Sequence, residues 1–216
     1  MSQDAVSNAT SKLDLKKQLR HLYAPSAKEA NMVTAPAMSF LMIDGAGDPN
    51  TSPDYQQALE TLYGVAYPLK FLLKREQSLD YVVMPLEGLW WTPDMADFTA
   101  ANKAAWLWTM MIMQPDEVTP ELFARAVAQA RRKNDTPALG KLRLEQFDEG
   151  LAAQIMYLGP YAAEGPTITR LHQFIQDHGY TFDGLRQKHH EIYLSDPRRT
   201  APEKLKTIIR QPVRQR

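Results

Sequence analysis

The chain has no cysteine, no net charge and no long apolar run in its 216 residues. Without cysteine it forms no disulfides, has no thiolate nucleophile and builds no thiolate zinc site. Lys and Arg total 25 and are balanced by 25 Asp and Glu, so no global field draws the chain to nucleic acid or anionic lipid. The locally basic stretch from Arg198 to Arg216 reads as a solvated tail. A membrane helix needs about 20 apolar residues; the longest apolar patch, Trp106 to Met113, falls far short and contains Thr109. Met1 to Thr10 lacks the cationic start and apolar core of a signal peptide, so the cytoplasm is the expected compartment. Gly45-Ala46-Gly47 lacks the lysine or third glycine of a nucleotide loop, and no serine stands in a Gly-x-Ser-x-Gly context, so no cofactor is expected. His189 and His190 are neighbours on a strand and diverge, and His21, His172 and His178 are too scattered to cluster, so no metal is expected.

What the chain does have is a doubled pattern. After a disordered leader over residues 1–12, Leu13, Leu15, Leu19 and Leu22 mark a short amphipathic helix ending at Ala24-Pro25. Asn31 to Ala35 and Ala37 to Gly45 read as strands hinged at Pro36. Ser52-Pro53-Asp54 caps a helix whose apolar residues, from Tyr55 to Leu73, recur at three and four, with Pro68 set to kink or pin it. Asp80 to Trp91 and Ala104 to Met113 are β-type segments, joined by a polar insert with its own helical turn. Thr119-Pro120-Glu121 opens a linking helix over about 119–133.

The second half repeats the plan. Leu142 to Phe147 and Leu151 to Leu158 read as a strand pair turning at Asp148-Glu149-Gly150. A helix from Ala163 to His178 and strands at Lys188 to Leu194 and Leu205 to Arg210 follow. The expected fold is α+β: one domain over 13–216, built of two tandem strand-helix-strand-strand modules, about 28–115 and about 141–213. A pseudo-twofold axis relates them, and an antiparallel sheet carries a ligand groove at the seam. Glu191 and Tyr193 point to one side of their strand, and Ile192 and Leu194 to the other. Since Glu87-Gly88-Leu89-Trp90 parallels Glu191-Ile192-Tyr193-Leu194, Glu87 and Glu191 are expected to enter one groove from opposite sides.

Four segments carry a family resemblance: Asp44-Gly45-Ala46-Gly47-Asp48-Pro49 with Tyr67 beyond it, Met84-Pro85-Leu86-Glu87-Gly88-Leu89-Trp90-Trp91, Tyr157-Leu158-Gly159-Pro160-Tyr161-Ala162-Ala163-Glu164, and His189-His190-Glu191-Ile192-Tyr193-Leu194-Ser195-Asp196-Pro197. Together they resemble the stand-alone GyrI-like small-molecule-binding proteins over nearly the whole chain. The resemblance implies the duplicated module of multidrug-sensing regulators, here without a helix-turn-helix region. Similar stand-alone members include hydrolases that open the cyclopropane of DNA-alkylating natural products related to yatakemycin. Carried over, their paired glutamates fall on Glu164 and Glu191 and their aromatic walls on Trp90, Trp91, Tyr161 and Tyr193.

The residues fit that chemistry. Flat aromatic faces hold a planar or lipophilic ligand, and a carboxyl in an apolar groove has a raised pKa suited to general acid or base work. Glu191 is the expected acid/base group, Glu164 its partner and Tyr193 the orienting hydroxyl; Glu87, Trp108 and Tyr67 join the expected ligand-binding set. Only one of Trp90 and Trp91 can face the groove, because strand neighbours diverge. The same groove also suits a non-catalytic module that sequesters lipophilic or cationic drugs. Action on DNA gyrase has no sticky surface to support it, and either a monomer or a homodimer fits.

Overall fold

In the computed structural model, which describes residues 11–216, the periodic segments fold into twelve strands and five α-helices. The strands are β1 (Ser11–Leu13), β2 (Asn31–Ala35), β3 (Met38–Ala46), β4 (Leu79–Tyr81), β5 (Leu86–Trp91), β6 (Leu107–Gln114), β7 (Arg143–Phe147), β8 (Gly150–Leu158), β9 (Tyr180–Thr181), β10 (His189–Tyr193), β11 (Lys206–Pro212) and β12 (Arg214–Gln215). The helices are α1 (Leu15–Gln18), α2 (Arg20–Tyr23), α3 (Pro53–Gln77), α4 (Pro120–Lys133) and α5 (Gly165–Asp177). Most of the expected leader lies outside the described residues; its last residues enter β1, which pairs with β4. The expected N-terminal helix breaks at Leu19 into the turns α1 and α2. The expected strand from Asp80 to Trp91 divides at Val82–Pro85, where proline offers no ladder donor.

Helix α3 shows how local signals become packing. The Ser52 hydroxyl accepts from the Tyr55 N–H at 3.3 Å, Pro53 occupies the first turn, and the helix continues through Pro68 to a left-handed cap at Ser78. Leu62, Val65, Ala66, Leu69, Leu72 and Leu73 are sealed from solvent. Each fully buried Leu or Val contributes roughly 1.5–3 kcal/mol.

The main sheet has eight strands in the order β2-β8-β11-β10-β5-β6-β3-β7, and every pairing within it is antiparallel. Read from its two ends, the order matches β2 with β7, β8 with β3, β11 with β6 and β10 with β5. This is the expected twofold relation, with the seam between β5 and β10. One expected pairing fails. β7 does not pair with β8: it pairs with β3 in the other module, while β2 pairs with β8. The modules exchange their first strands, because residues 148–149 form no hairpin turn and Glu149 is drawn into the sheet's buried ion network.

That network lies on the face opposite α3 and α5. His190 sits between Glu149 and Glu87, with Nδ1 2.7 Å from one carboxylate and Nε2 2.9 Å from the other. Arg210 donates to Glu149 at 2.9 Å, to Gln154 at 3.1 Å and to the Leu22 carbonyl at 2.6 Å. The Tyr23 hydroxyl donates to Glu87 at 2.7 Å. Burial disfavours a charged His190, but Glu149 and Glu87 outweigh it and raise the ring to about 9. Burial likewise works against the Glu149 carboxylate, yet His190 and Arg210 hold it at about 2.

Removing one partner strands another buried charge, so Arg210→Met should destabilise the fold by roughly 3–5 kcal/mol in urea unfolding. His190, raised above its ordinary 6.5, contributes most below that value, and its contribution is lost as pH rises through about 9. Glu149, lowered from 4.5, contributes fully above 4.5 and loses its contribution as pH falls through about 2. The stability advantage of the wild type over His190→Gln should therefore shrink between pH 6.5 and 9; a constant advantage would contradict a charged ring.

Candidate functional site

The seam brings the candidate residues together through strand register. Glu191 lies opposite Gly88, His189 opposite Trp90 and Tyr193 opposite Leu86. Pleating puts all six on one face. The same face carries Ile155 and Ile209, which pack against Leu171 and Ile175 of α5, and it carries Trp108, which packs against Tyr55 of α3. The groove therefore runs over β5 and β10 between the two helices. Gly88 shapes its floor: a Cβ there would come within 2.7 Å of Trp90 Nε1. With only hydrogen at that position, the indole lies back over the strand and donates to the Tyr193 hydroxyl at 3.0 Å.

Aromatic side chains wall one flank. Tyr55 stands 6.0 Å from Trp90, and Trp106 meets Trp90 edge-on at 5.6 Å. Phe98 packs on Trp106 at 4.9 Å, so the insert between β5 and β6 closes over this side. The other flank begins at Gly159, whose φ of 142° and 2.6 Å clearance from the Tyr157 hydroxyl exclude a side chain. The turn delivers Tyr161, edge-on to Tyr193 at 5.7 Å, and then Glu164 at the start of α5.

Polar atoms converge on this space without partners. Among the described residues, Glu164 Oε2, Thr207 Oγ1 and His172 Nε2 are buried and make no hydrogen bond; Thr207 is the register partner of Tyr193. Such atoms cost stability unless something satisfies them. Burial, and then the neighbouring Glu191 charge, push the Glu164 carboxyl up to about 9, against a smaller opposing pull from Lys103. At neutral pH Glu164 is a proton donor. Glu191 is almost sealed, with Oε1 3.1 Å from His189 Nε2. Burial followed by the Glu191 charge also raises Tyr193 well above its ordinary value and Tyr161 to about 12, so both phenols stay protonated. His172 is lowered to about 4 by burial and by His189, and its ring is neutral.

Glu164, Glu191, Tyr193, Tyr161 and Trp90 thus share one groove. Trp108 is on the same face but sealed against Tyr55, as groove support. Tyr67 stands half exposed one turn beyond Tyr63 on α3. Glu87 and Trp91 do not face the groove. The register sets Glu191 against Gly88 and Ile192 against Glu87, so Glu87 points to the opposite face and into the His190 network. A short sequence parallel between the two strands does not fix their register, and one residue of offset reverses the face. His189, Tyr55, Phe98 and Thr207 are groove residues that the sequence reading did not assign. Only His189 carried a usable signal, its two-residue spacing from Glu191.

Residues 28–214 match the family model of the GyrI-like small molecule binding domain. A solved structure of an uncharacterized conserved protein from Listeria innocua is 41% identical with a TM-score of 0.86, the match covering 94% of this chain and 100% of that one. A structure described as a hydrolase from Listeria innocua is 40% identical with a TM-score of 0.84, over the same shares. The C-terminal domain of EcmrR is alike in fold alone, at 13% identity and a TM-score of 0.52 over 87% of this chain and 98% of that domain. No curated protein matches the chain. None of the helices among the described residues is long and apolar enough to cross a membrane.

Carbon-13 NMR of the glutamate carboxyls should show Glu164 titrating near 9. In Glu191→Gln its midpoint should fall, because the second cause of the shift is gone, while burial keeps it above the ordinary carboxylate range. A Glu164 midpoint near 4.5 in the wild type would refute the arrangement.

Proposed function

The chain belongs to the GyrI-like small-molecule-binding domain family, and from that premise we propose that it hydrolyses cyclopropane-containing electrophilic natural products in the groove between α3 and α5. The observation that carries this reading is the pairing of a half-buried Glu164, whose carboxyl is held protonated at neutral pH and has one buried oxygen unpartnered among the described residues, with the neighbouring Glu191 carboxylate. Pairs of titratable groups driven apart by their surroundings divide acid and base work between them. The hydrolase description of a 40% identical structure points the same way.

The proposed reaction adds water across one bond. A planar substrate with a cyclopropane conjugated to a carbonyl lies between Trp90 and Tyr161, its carbonyl toward Glu164. Glu191, held by His189, takes a proton from water as the water oxygen bonds to the cyclopropane methylene. The ring C–C bond breaks, and its electrons pass through the conjugated system to the carbonyl oxygen. Glu164 protonates that oxygen, and both carboxyls return to their starting states by proton exchange with solvent. Tyr193 orients the substrate or water with its hydroxyl, which the Trp90 N–H holds in place. A groove closed by aromatic side chains shields the strained ring from other nucleophiles and strengthens each charge interaction inside.

The test is turnover of a spirocyclopropyl cyclohexadienone, followed by loss of its ultraviolet band and by incorporation of heavy oxygen from water. Glu191→Gln and Glu164→Gln should each lower kcat/KM about 10²–10⁴-fold, with little change in the Kd of a ring-opened analogue. Wild-type turnover by the double variant would refute the roles given to both glutamates. Stoichiometric retention of unopened substrate by the wild type would instead establish sequestration.

A further inference from the structure

The opposite face of the same strands carries a second cavity, of about 480 Å³. Small-molecule clefts run roughly 300–1,000 Å³. Leu89 and Leu107 form an apolar floor, and Trp91 and Phe147 supply flat aromatic surface at the sides. This space is separate from the groove, since Trp90 and Trp91 leave β5 in opposite directions.

Its charges are unevenly satisfied. Arg143 is engaged by two carboxylates: it reaches Asp44 at 2.9 Å and Glu145 at 2.5 Å. Asp44 also accepts from the Thr109 hydroxyl at 2.7 Å. Both carboxylates of the cavity are therefore already engaged by a cation. Lys188 differs. Its Nζ stands 3.5 Å over the Trp91 ring and, among the described residues, forms no ion pair. Burial lowers its pKa, with Arg143 adding to the effect, and the Asp44 charge nearby does not offset the lost water. An aromatic face compensates a cation by about 0.5–2 kcal/mol, less than a charge-assisted hydrogen bond gives in a partly dry site.

We infer that this cavity binds a flat aromatic carboxylate, with its ring on Leu89 and Leu107 between Trp91 and Phe147 and its carboxylate on Lys188 Nζ. The groove presents a glutamate pair and this cavity a free ammonium, so the two faces of one sheet select ligands of different charge.

Calorimetric titration of the full chain with naphthoate tests this. Saturable binding is expected, weakened about tenfold or more by Lys188→Met and by Trp91→Leu, and unchanged by Glu191→Gln. The neutral naphthamide should bind more weakly and should not distinguish Lys188→Met from wild type. Lys188 is partly exposed and its methionine variant keeps the apolar stem, so an unaltered thermal melt certifies that variant even if Trp91→Leu folds poorly. Equal affinity of Lys188→Met and wild type, absence of saturation at millimolar naphthoate, or loss of binding in Glu191→Gln would each overturn the assignment. Turnover enters none of these readouts, so the outcome is independent of the hydrolysis proposal.

Discussion

The hydrogen-bonded ion network of Glu87, His190, Glu149 and Arg210 ties together parts of the chain that sequence distance keeps apart. His190 comes from β10, Glu87 from β5, Arg210 from β11, and Glu149 from the crossing between β7 and β8. Tyr23 and the Leu22 carbonyl bring in the N-terminal turns. Two cations balance two carboxylates in a space nearly closed to water. Each charge is tolerable there only because all the others are present. The seam between the modules is consequently held in one register, and everything on the other face of those strands inherits that register.

What it inherits is an electrostatic asymmetry. Within the network the acids and bases are matched and satisfied; in the groove on the other face they are not. Among the described residues Glu164 and Thr207 each have an unpartnered oxygen and His172 an unpartnered ring nitrogen, and two carboxyl groups share a space lined by aromatic rings. A fold that satisfies buried polar groups on one side of a strand pair could do so on the other. The groove's leftover polar atoms are what a small-molecule site requires, and their stability cost is offset by the network and core beneath.

Much of the fold was legible. Helix α4 runs from Pro120 to Lys133 as its Thr119-Pro120-Glu121 start predicts, and the halves repeat because two similar element strings recur in the sequence. The exchange of β2 and β7 was not legible, since a strand's alternation names its faces but not its neighbour. For the site, the motifs named Glu191, Glu164, Tyr193 and Tyr161, which the structure brings to one groove; Glu87 was expected there and points to the other face, and the choice between Trp90 and Trp91, open in the sequence, falls to Trp90. Phe98 was missed because an irregular insert has no periodicity from which to read direction.

The sequence by itself determined the elements, their duplication and the residue types able to do chemistry, because these follow from local spacing, capping and turn composition. The tertiary structure decided the faces. Glu87 and Glu191 occupy similar strands, yet pairing Glu191 with Gly88 sends one into a closed ion network and the other into an aromatic groove. The physical reason is the two-residue period of the pleat: register is a relation between strands, and no strand carries it alone.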